Sequence, residues 1–360
     1  MRGKRMFVTL LLLVPTLTVR AADQTLLIEL ERSSSAYPNG VSASGAVVVG
    51  GLGTGGGFYW MPTTGTVFIG GLGATNVSRD GRTIVGQVVE SRVTQAAIWV
   101  RGAEWKALGS FTPTAAPCDT SLSLATDTSV DGRVVVGYAL DGCSLSHAFR
   151  WEESTGMVDL GSSVPERRSF ANGVSADGKV VVGYQENATG FQQGARWVDG
   201  RQELFTGPAG PVGAATATNP DGTIVVGRVC SGTGIAIGPA FQSAWVWTAR
   251  DGVQCLPAPA PIPSPGPPVN VEANAVSDDG RVIVGGQGIG ADDVDAVIWI
   301  DRVPHYLKDY LRANGVPDAF ATYIKTGSIA DVSPDGRILV ARGAPIGGFR
   351  GYIVIFGEKP

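Results

Sequence analysis

Short runs of apolar, mostly β-branched residues recur along the chain at RTIVG (82–86), RVVVG (133–137), KVVVG (179–183), TIVVG (223–227) and RVIVG (281–285). Their apolar positions are consecutive instead of alternating, which is the mark of a strand buried on both faces. Each run follows a turn with Asp-Gly at its centre, and each turn follows a small, polar-edged segment: ATNVS (74–78), ATDTS (125–129), ANGVS (171–175), ATATN (215–219) and ANAVS (273–277). Such a pair of segments around Asp-Gly predicts a tight antiparallel hairpin, because glycine accepts a positive φ and aspartate bonds its own backbone.

A third strand is predicted where a small residue stands three positions before a tryptophan: Gly57 and Trp60, Ala96 and Trp99, Ala148 and Trp151, Gly194 and Trp197, Ala244 and Trp247, Ala296 and Trp299. Six of the eight tryptophans therefore hold a repeat position, which argues for packing over ligand binding. A fourth strand closes on an aliphatic residue seven to nine positions later, at Ile69, Leu108, Leu160, Leu204, Leu256 and Leu307.

Aligned on the turn acid, the copies fall at Asp80, Asp131, Asp177, Asp221, Asp279 and Asp335, with Ser44 in a weaker first copy, at spacings of 36 to 58 residues. Four-stranded units at that period predict the blades of a propeller, near 36–73, 74–110, 125–162, 171–206, 215–257, 274–308 and 329–356. The seventh copy supplies SIADVS, RILVA and RGYIVIF and then the sequence ends, one strand short, while TLLIEL at 25–30 stands where a fourth strand belongs. The expectation is an all-β, seven-bladed β-propeller of four-stranded antiparallel blades in one domain over 22–360, closed by the N-terminal strand completing the last blade. Six blades with an irregular cap is the alternative, because the first copy lacks the aspartate and the seventh lacks the tryptophan.

Residues 1–21 read as a secretory signal peptide: Arg2, Lys4 and Arg5, an apolar run over 6–14, and V-R-A before Ala22. The run is too short for a membrane span, and no lipobox cysteine follows it, so a secreted or periplasmic protein is expected. Composition changes the picture in one further respect. A net charge of −4, spread without a basic stripe, disfavours nucleic acid and anionic lipid as partners.

Four cysteines in an exported chain predict two disulfides. Cys118 and Cys143 flank one hairpin almost symmetrically, and Cys230 and Cys255 lie at strand ends that an up-and-down sheet brings to the same rim. A short helix is predicted over 306–314, with Leu307 and Leu311 on one side, and the proline run after Leu256 reads as a stiff extended spacer. Neither His147 nor His305 stands in a metal-ligand spacing.

Loops joining second to third strands, and the crossovers between blades, emerge together on one face of such a ring, where this sequence varies most. From that placement alone, Glu90, Asp141, Tyr184, Glu186, Phe191, Asp292, Asp293 and Asp295 are the candidate ligand-binding residues. The last three belong to GADDVDA, which lacks an EF-hand pattern, so a solvated acidic loop is the simpler reading and no metal or cofactor is expected.

The strand HAFRW at 147–151, the V-S-x-D-G-x-x-V-V-G turns and GMVDLG at 156–161 together resemble the HAF-repeat family, the probable extracellular repeat proteins of bacteria. The likeness covers essentially the whole mature chain, including AVIWIDRVPHYLKDYLRANGV at 296–316. It implies an exported, propeller-like bacterial protein and brings no activity with it; the S-P-D-G-R at 333–337 is also similar to turns of other propellers such as TolB. The function expected is a non-catalytic binding or scaffold module for a protein or glycan of the envelope or exterior, acting as a monomer with no catalytic residues. An envelope or extracellular glycan-acting hydrolase or lyase and a structural cell-surface protein are the alternatives.

Overall fold

The computed structural model describes residues 25–30, 36–111, 122–141, 145–230, 243–259, 270–288, 294–316, 323–345 and 350–360. The signal-peptide segment, the Cys118–Cys143 pair, Asp292 and Asp293 lie outside the described residues.

Seven four-stranded antiparallel sheets form the ring. Six use strands consecutive in sequence: blade 1 (Ala36–Val41 to Gly65–Gly70), blade 2 (Gly73–Val77 to Lys106–Ala107), blade 3 (Ser123–Thr128 to Gly156–Asp159), blade 4 (Ser169–Val174 to Arg201–Leu204), blade 5 (Ala215–Thr218 to Gly252–Cys255) and blade 6 (Asn270–Val276 to Val303–Tyr306). Blade 7 takes Tyr323–Val332, Ile338–Pro345 and Arg350–Ile355, and its fourth strand is Leu26–Glu29 from the other end of the chain. The register pairs Leu26 with Ile355, Leu27 with Val354, Ile28 with Ile353 and Glu29 with Tyr352. Head and tail thus share one sheet, which removes the free edges of an open row of blades.

The consecutive apolar runs have a direct physical cause. The core is divided into layers, each between two neighbouring blades, and successive residues of one second strand point into different layers. Val134 and Val136 pack between blades 3 and 4, whereas Val135 packs between blades 2 and 3. Val181 faces blade 3 and Val182 faces blade 5. The layer between blades 7 and 1 is of the same kind, built from Leu30, Ala36, Val41, Val48, Phe58, Val340 and Ile353. Each buried Val, Leu, Ile or Phe side chain of this kind contributes about 1.5–3 kcal/mol.

Sequence repetition in the turns follows from a hydrogen-bond pattern. The hydroxyl of Ser78, Ser129, Ser175, Ser277 or Ser333 donates to the turn aspartate two residues on, at 2.6–2.9 Å, and accepts the N–H five residues on. Blade 5 uses Asn219 and Thr223 instead, and blade 1 keeps the serine part alone, with Ser42 accepting from Val47. The following glycine has φ near +70° in every blade, from Gly45 to Gly336. It also abuts the neighbouring blade, since a Cβ on Gly178 would collide with Val134 and one on Gly45 with Ile338, across the seam.

The tryptophan position is packing, as expected. Trp197 and Trp299 are fully buried, and their indole N–H groups donate to Leu160 O at 3.1 Å and Pro257 O at 2.8 Å in the preceding blade and crossover. One fourth-strand residue differs from the expectation. Leu204 is 39% exposed and Phe205, the next residue, is buried beside Trp245 and Trp247. The period of two in a strand turns one of two adjacent apolar residues outward, and the larger ring takes the inward place. The helix α1 spans Leu307–Ala313 with Leu307 and Leu311 buried, and Cys230 and Cys255 form a disulfide with Cα atoms 5.5 Å apart.

Candidate functional site

The axial channel is built by one irregularity repeated seven times. In every blade the pairing of first and second strands slips at the second residue of the A-N-G-V-S segment, as between Ala171 and Gly173 or Ile329 and Asp331. A bulge there turns that residue's side chain away from the ladder. It also presses the first strand's carbonyl onto the glycine that ends V-V-V-G, so a Cβ on Gly137 or Gly183 would collide with Leu124 O or Phe170 O.

The bulged side chain reaches the next blade. Asn39 donates to Ala74 O, Thr75 to Ala125 O, Thr126 to Ala171 O, Asn172 to Ala215 O, Thr216 to Ala273 O and Asn274 to Ile329 O, all at 2.6–2.9 Å. Blade 7 carries Ala330 at this position and has no hydroxyl or amide to give.

Asp127 and Asp331 occupy the residue after the bulge in blades 3 and 7. Asp127 Oδ1 accepts from Thr128 N at 2.8 Å and Asn76 Nδ2 at 2.7 Å, and Oδ2 accepts from Val174 N of blade 4 at 2.8 Å. Asp331 repeats the arrangement at the seam, Oδ1 accepting from Val332 N at 2.8 Å and Oδ2 from Val41 N of blade 1 at 2.9 Å. Burial pushes Asp127 up to about 6 and Asp331 up to about 7, against the hydrogen bonds that favour their charged forms. The charge of Asp127 adds to the rise at Asp331, and Arg79 opposes it at both.

Both carboxylates face a cavity of about 250 Å³ that is walled by the bulged ring and opens among the S-x-D-G turns, where Arg79, Val130, Ala176, Pro220 and Pro334 form its rim. Arg79 pairs bidentately with Asp278, at 2.6 and 3.0 Å.

None of the described sequence-derived candidates lines this cavity. Glu90, Asp141, Tyr184, Glu186, Phe191 and Asp295 stand toward the opposite end of the blades and are distributed over four of them. Glu90 is exposed at the end of its strand beside an open depression with Glu104, Trp105 and Lys106. Asp141 accepts from Leu145 N at 3.2 Å. Tyr184 is buried, stacked on Phe170 at 4.8 Å, and burial pushes its hydroxyl up to about 12. Glu186 and Phe191 lie on the same blade, with Phe191 N donating to Asn187 Oδ1 at 3.0 Å. Asp295 accepts from Thr326 and pairs with Lys308 at 3.6 Å. His147 is held by Asp159 at 2.8 Å, a contact that raises its pKa, and His305 packs on Tyr310.

The turn aspartates are explained by hairpin chemistry. The Ser175 hydroxyl and the Lys179 N–H hold Asp177 below the usual carboxylate range, and Thr223 does the same for Asp221. Among the described residues no group of three or more His, Cys, Asp or Glu is placed to share a metal ion, and no helix is long and apolar enough to cross a membrane.

What sequence reasoning missed is the pair Asp127 and Asp331. The signal was present: at this position the other copies hold Gly40, Asn76, Gly173, Ala217 and Ala275, so an acid there is not required by the repeat.

No protein-family model and no curated protein matches this chain. Among solved structures it is similar to a putative TolB from Agrobacterium tumefaciens, at 16% identity over 64% of this chain and 80% of that one, with a TM-score of 0.44. It is likewise similar to TolB from Acinetobacter baumannii, at 11% identity over 75% of this chain and 62% of that one, with a TM-score of 0.45. The chain therefore spans less than two thirds of the second structure, and likeness at this level carries no functional argument.

Proposed function

We propose that this protein is an exported, non-catalytic binding module that holds a protein partner at the turn-side cavity, taking a basic side chain of that partner. One observation carries the reading: two carboxylates on distant blades face one concave space, and Arg79, the cation at its rim, is already engaged by Asp278. An ammonium or guanidinium group placed there would relieve the strain that burial puts on both acids. The non-catalytic part rests on the hydrogen bonds. Each oxygen of both carboxylates accepts a backbone N–H, which anchors them as latches between blades 3 and 4 and blades 7 and 1. Export rests on the signal-peptide pattern and on the likeness to extracellular repeat proteins.

The test is retention of envelope proteins on the immobilised mature protein, compared with the Asp127→Asn/Asp331→Asn variant, followed by calorimetry with the captured partner. Loss of affinity of tenfold or more in the double variant is expected. Retention unchanged by the double substitution would overturn the placement of the site.

A second reading has an observation of its own. Two carboxyl groups from different blades facing one cavity, both with raised pKa values, are also what a glycan-acting hydrolase would need for its acid and its base. Cleavage of an envelope polysaccharide by the wild type, abolished by either single Asp→Asn substitution, would establish that reading in place of the first.

A further inference from the structure

The second residues of the S-x-D-G turns form a collar, and five of the seven, Arg79, Val130, Ala176, Pro220 and Pro334, line the cavity. Members of the collar are tied to their neighbours through the backbone: Ala43 N donates to Arg79 O, Val130 N to Ala176 O, Ala176 N to Pro220 O and Asp278 N to Pro334 O, at 2.7–3.1 Å. Pro220 has no N–H to pass on, and the Asn219 side-chain amide replaces it, donating to Asp278 O at 3.1 Å. These bonds run around the ring, from one blade to the next.

The Arg79–Asp278 pair runs across it. Arg79 belongs to blade 2 and Asp278 to blade 6, separated by three blade interfaces one way round and four the other, as far apart as a ring of seven permits. Their side chains are 30% and 43% exposed, so the pair lies at the solvent side of the cavity, with Arg79 itself part of the wall. Arg79 is also within electrostatic reach of Asp127 and Asp331 below it, so its guanidinium has acceptors both across the mouth and inside the channel.

We propose that Arg79 and Asp278 form a strap over the turn-side mouth: paired, they keep solutes larger than water out of the cavity, and separated, they admit them to Asp127 and Asp331. A bidentate guanidinium–carboxylate pair fixes both side chains in one geometry, and a half-exposed pair is weakened by salt. Ionic strength therefore opens the strap without altering the covalent structure.

The test places a reporter thiol on the cavity wall by Ala217→Cys and measures its rate of modification by a small cationic methanethiosulfonate reagent. Backgrounds are the mature protein, Arg79→Ala, Asp278→Ala and the double variant, with thermal unfolding of each to confirm the fold. Thr218→Cys, also on the wall, serves should Ala217→Cys not fold. Thr189→Cys on an exposed loop of blade 4 serves as the external control. Expected is a rate increase of at least tenfold in either single variant and in the strapped protein at 1 M salt, with the external thiol unchanged. Rates within twofold of one another in all backgrounds, or equal changes at the external thiol, would overturn the strap. No partner takes part in the measurement, so its outcome is independent of whether the binding proposal holds.

Discussion

Asp127 and Asp331 show how one side chain can be a structural latch and a stored charge at once. Each ties a blade to the next through a backbone N–H, and each stands where burial disfavours its charged form. A folded-state pKa raised above the unfolded value near 3.8 means that the native protein binds the proton more tightly than the unfolded chain. Stability should therefore fall as pH rises from about 4 to about 7 and level off above that. Both side chains line a cavity that opens to solvent and are only partly buried, so the loss is of order 1 kcal/mol for each. His147, raised by Asp159, has the opposite charge and the same sign of effect, because its contribution is present in its protonated form and is lost as pH rises through its folded pKa. Thermal unfolding of the wild type at pH 5 and pH 8 should give the higher midpoint at pH 5. Asp331→Asn should flatten that difference while lowering stability at pH 5, since the two N–H groups go to different carboxyl oxygens and one of these becomes an NH2 that cannot accept. A difference of the same size in the variant would mean that Asp331 does not titrate in this range.

At the scale of the strand, one of the seven interfaces lacks the bulged donor that the other six share. Six carry the bulged Asn or Thr that donates to the next blade, and the seventh carries Ala330. Pro334 also lacks the N–H that would continue the collar from blade 7 to blade 1. The seam is thus short of two links and relies on Asp331 to Val41 and on the closing strand. Ala330→Thr should supply the missing donor to the Pro38 carbonyl and raise stability by about 1 kcal/mol, read as a higher midpoint in urea with an unchanged slope. The matched deletion, Thr126→Ala, should cost a similar amount. This asymmetry also explains what was legible beforehand. Strands, turns and ring closure each leave a periodic mark, because burial between blades demands β-branched runs and the hairpin demands Asp-Gly. The channel lining leaves none, since its side chains face water and each other, and the repeat tolerates Gly, Asn, Ala or Asp there. Loop variability drew attention to the opposite face, where Glu90, Asp141, Tyr184 and Asp295 turn out to serve different blades.

Over the whole molecule, closure turns local hairpins into one cooperative unit, and the link that closes it is only four residues long. Leu26–Glu29 covers the edge of Arg350–Ile355, and Ile28 and Leu30 enter the layer between blades 7 and 1 with Phe58 and Ile353. Removing residues 25–30 would uncover a strand of sequence RGYIVI and unseat that layer. The lost pairing and apolar burial amount to about 3–5 kcal/mol. In a domain of this size each kcal/mol moves the unfolding midpoint by about 2–4 °C, so a drop near 10 °C is expected. The bared edge would also pair with other chains, so light scattering should show larger species than the mature protein gives under the same conditions. A TLLIEL peptide added in trans should occupy the vacant edge and reverse both changes. A truncated protein that scattered light as the mature protein does, with its midpoint unchanged, would show that the ring holds without its seam strand. Ring stability would then have to be assigned to the interblade layers and the Asp331 latch alone.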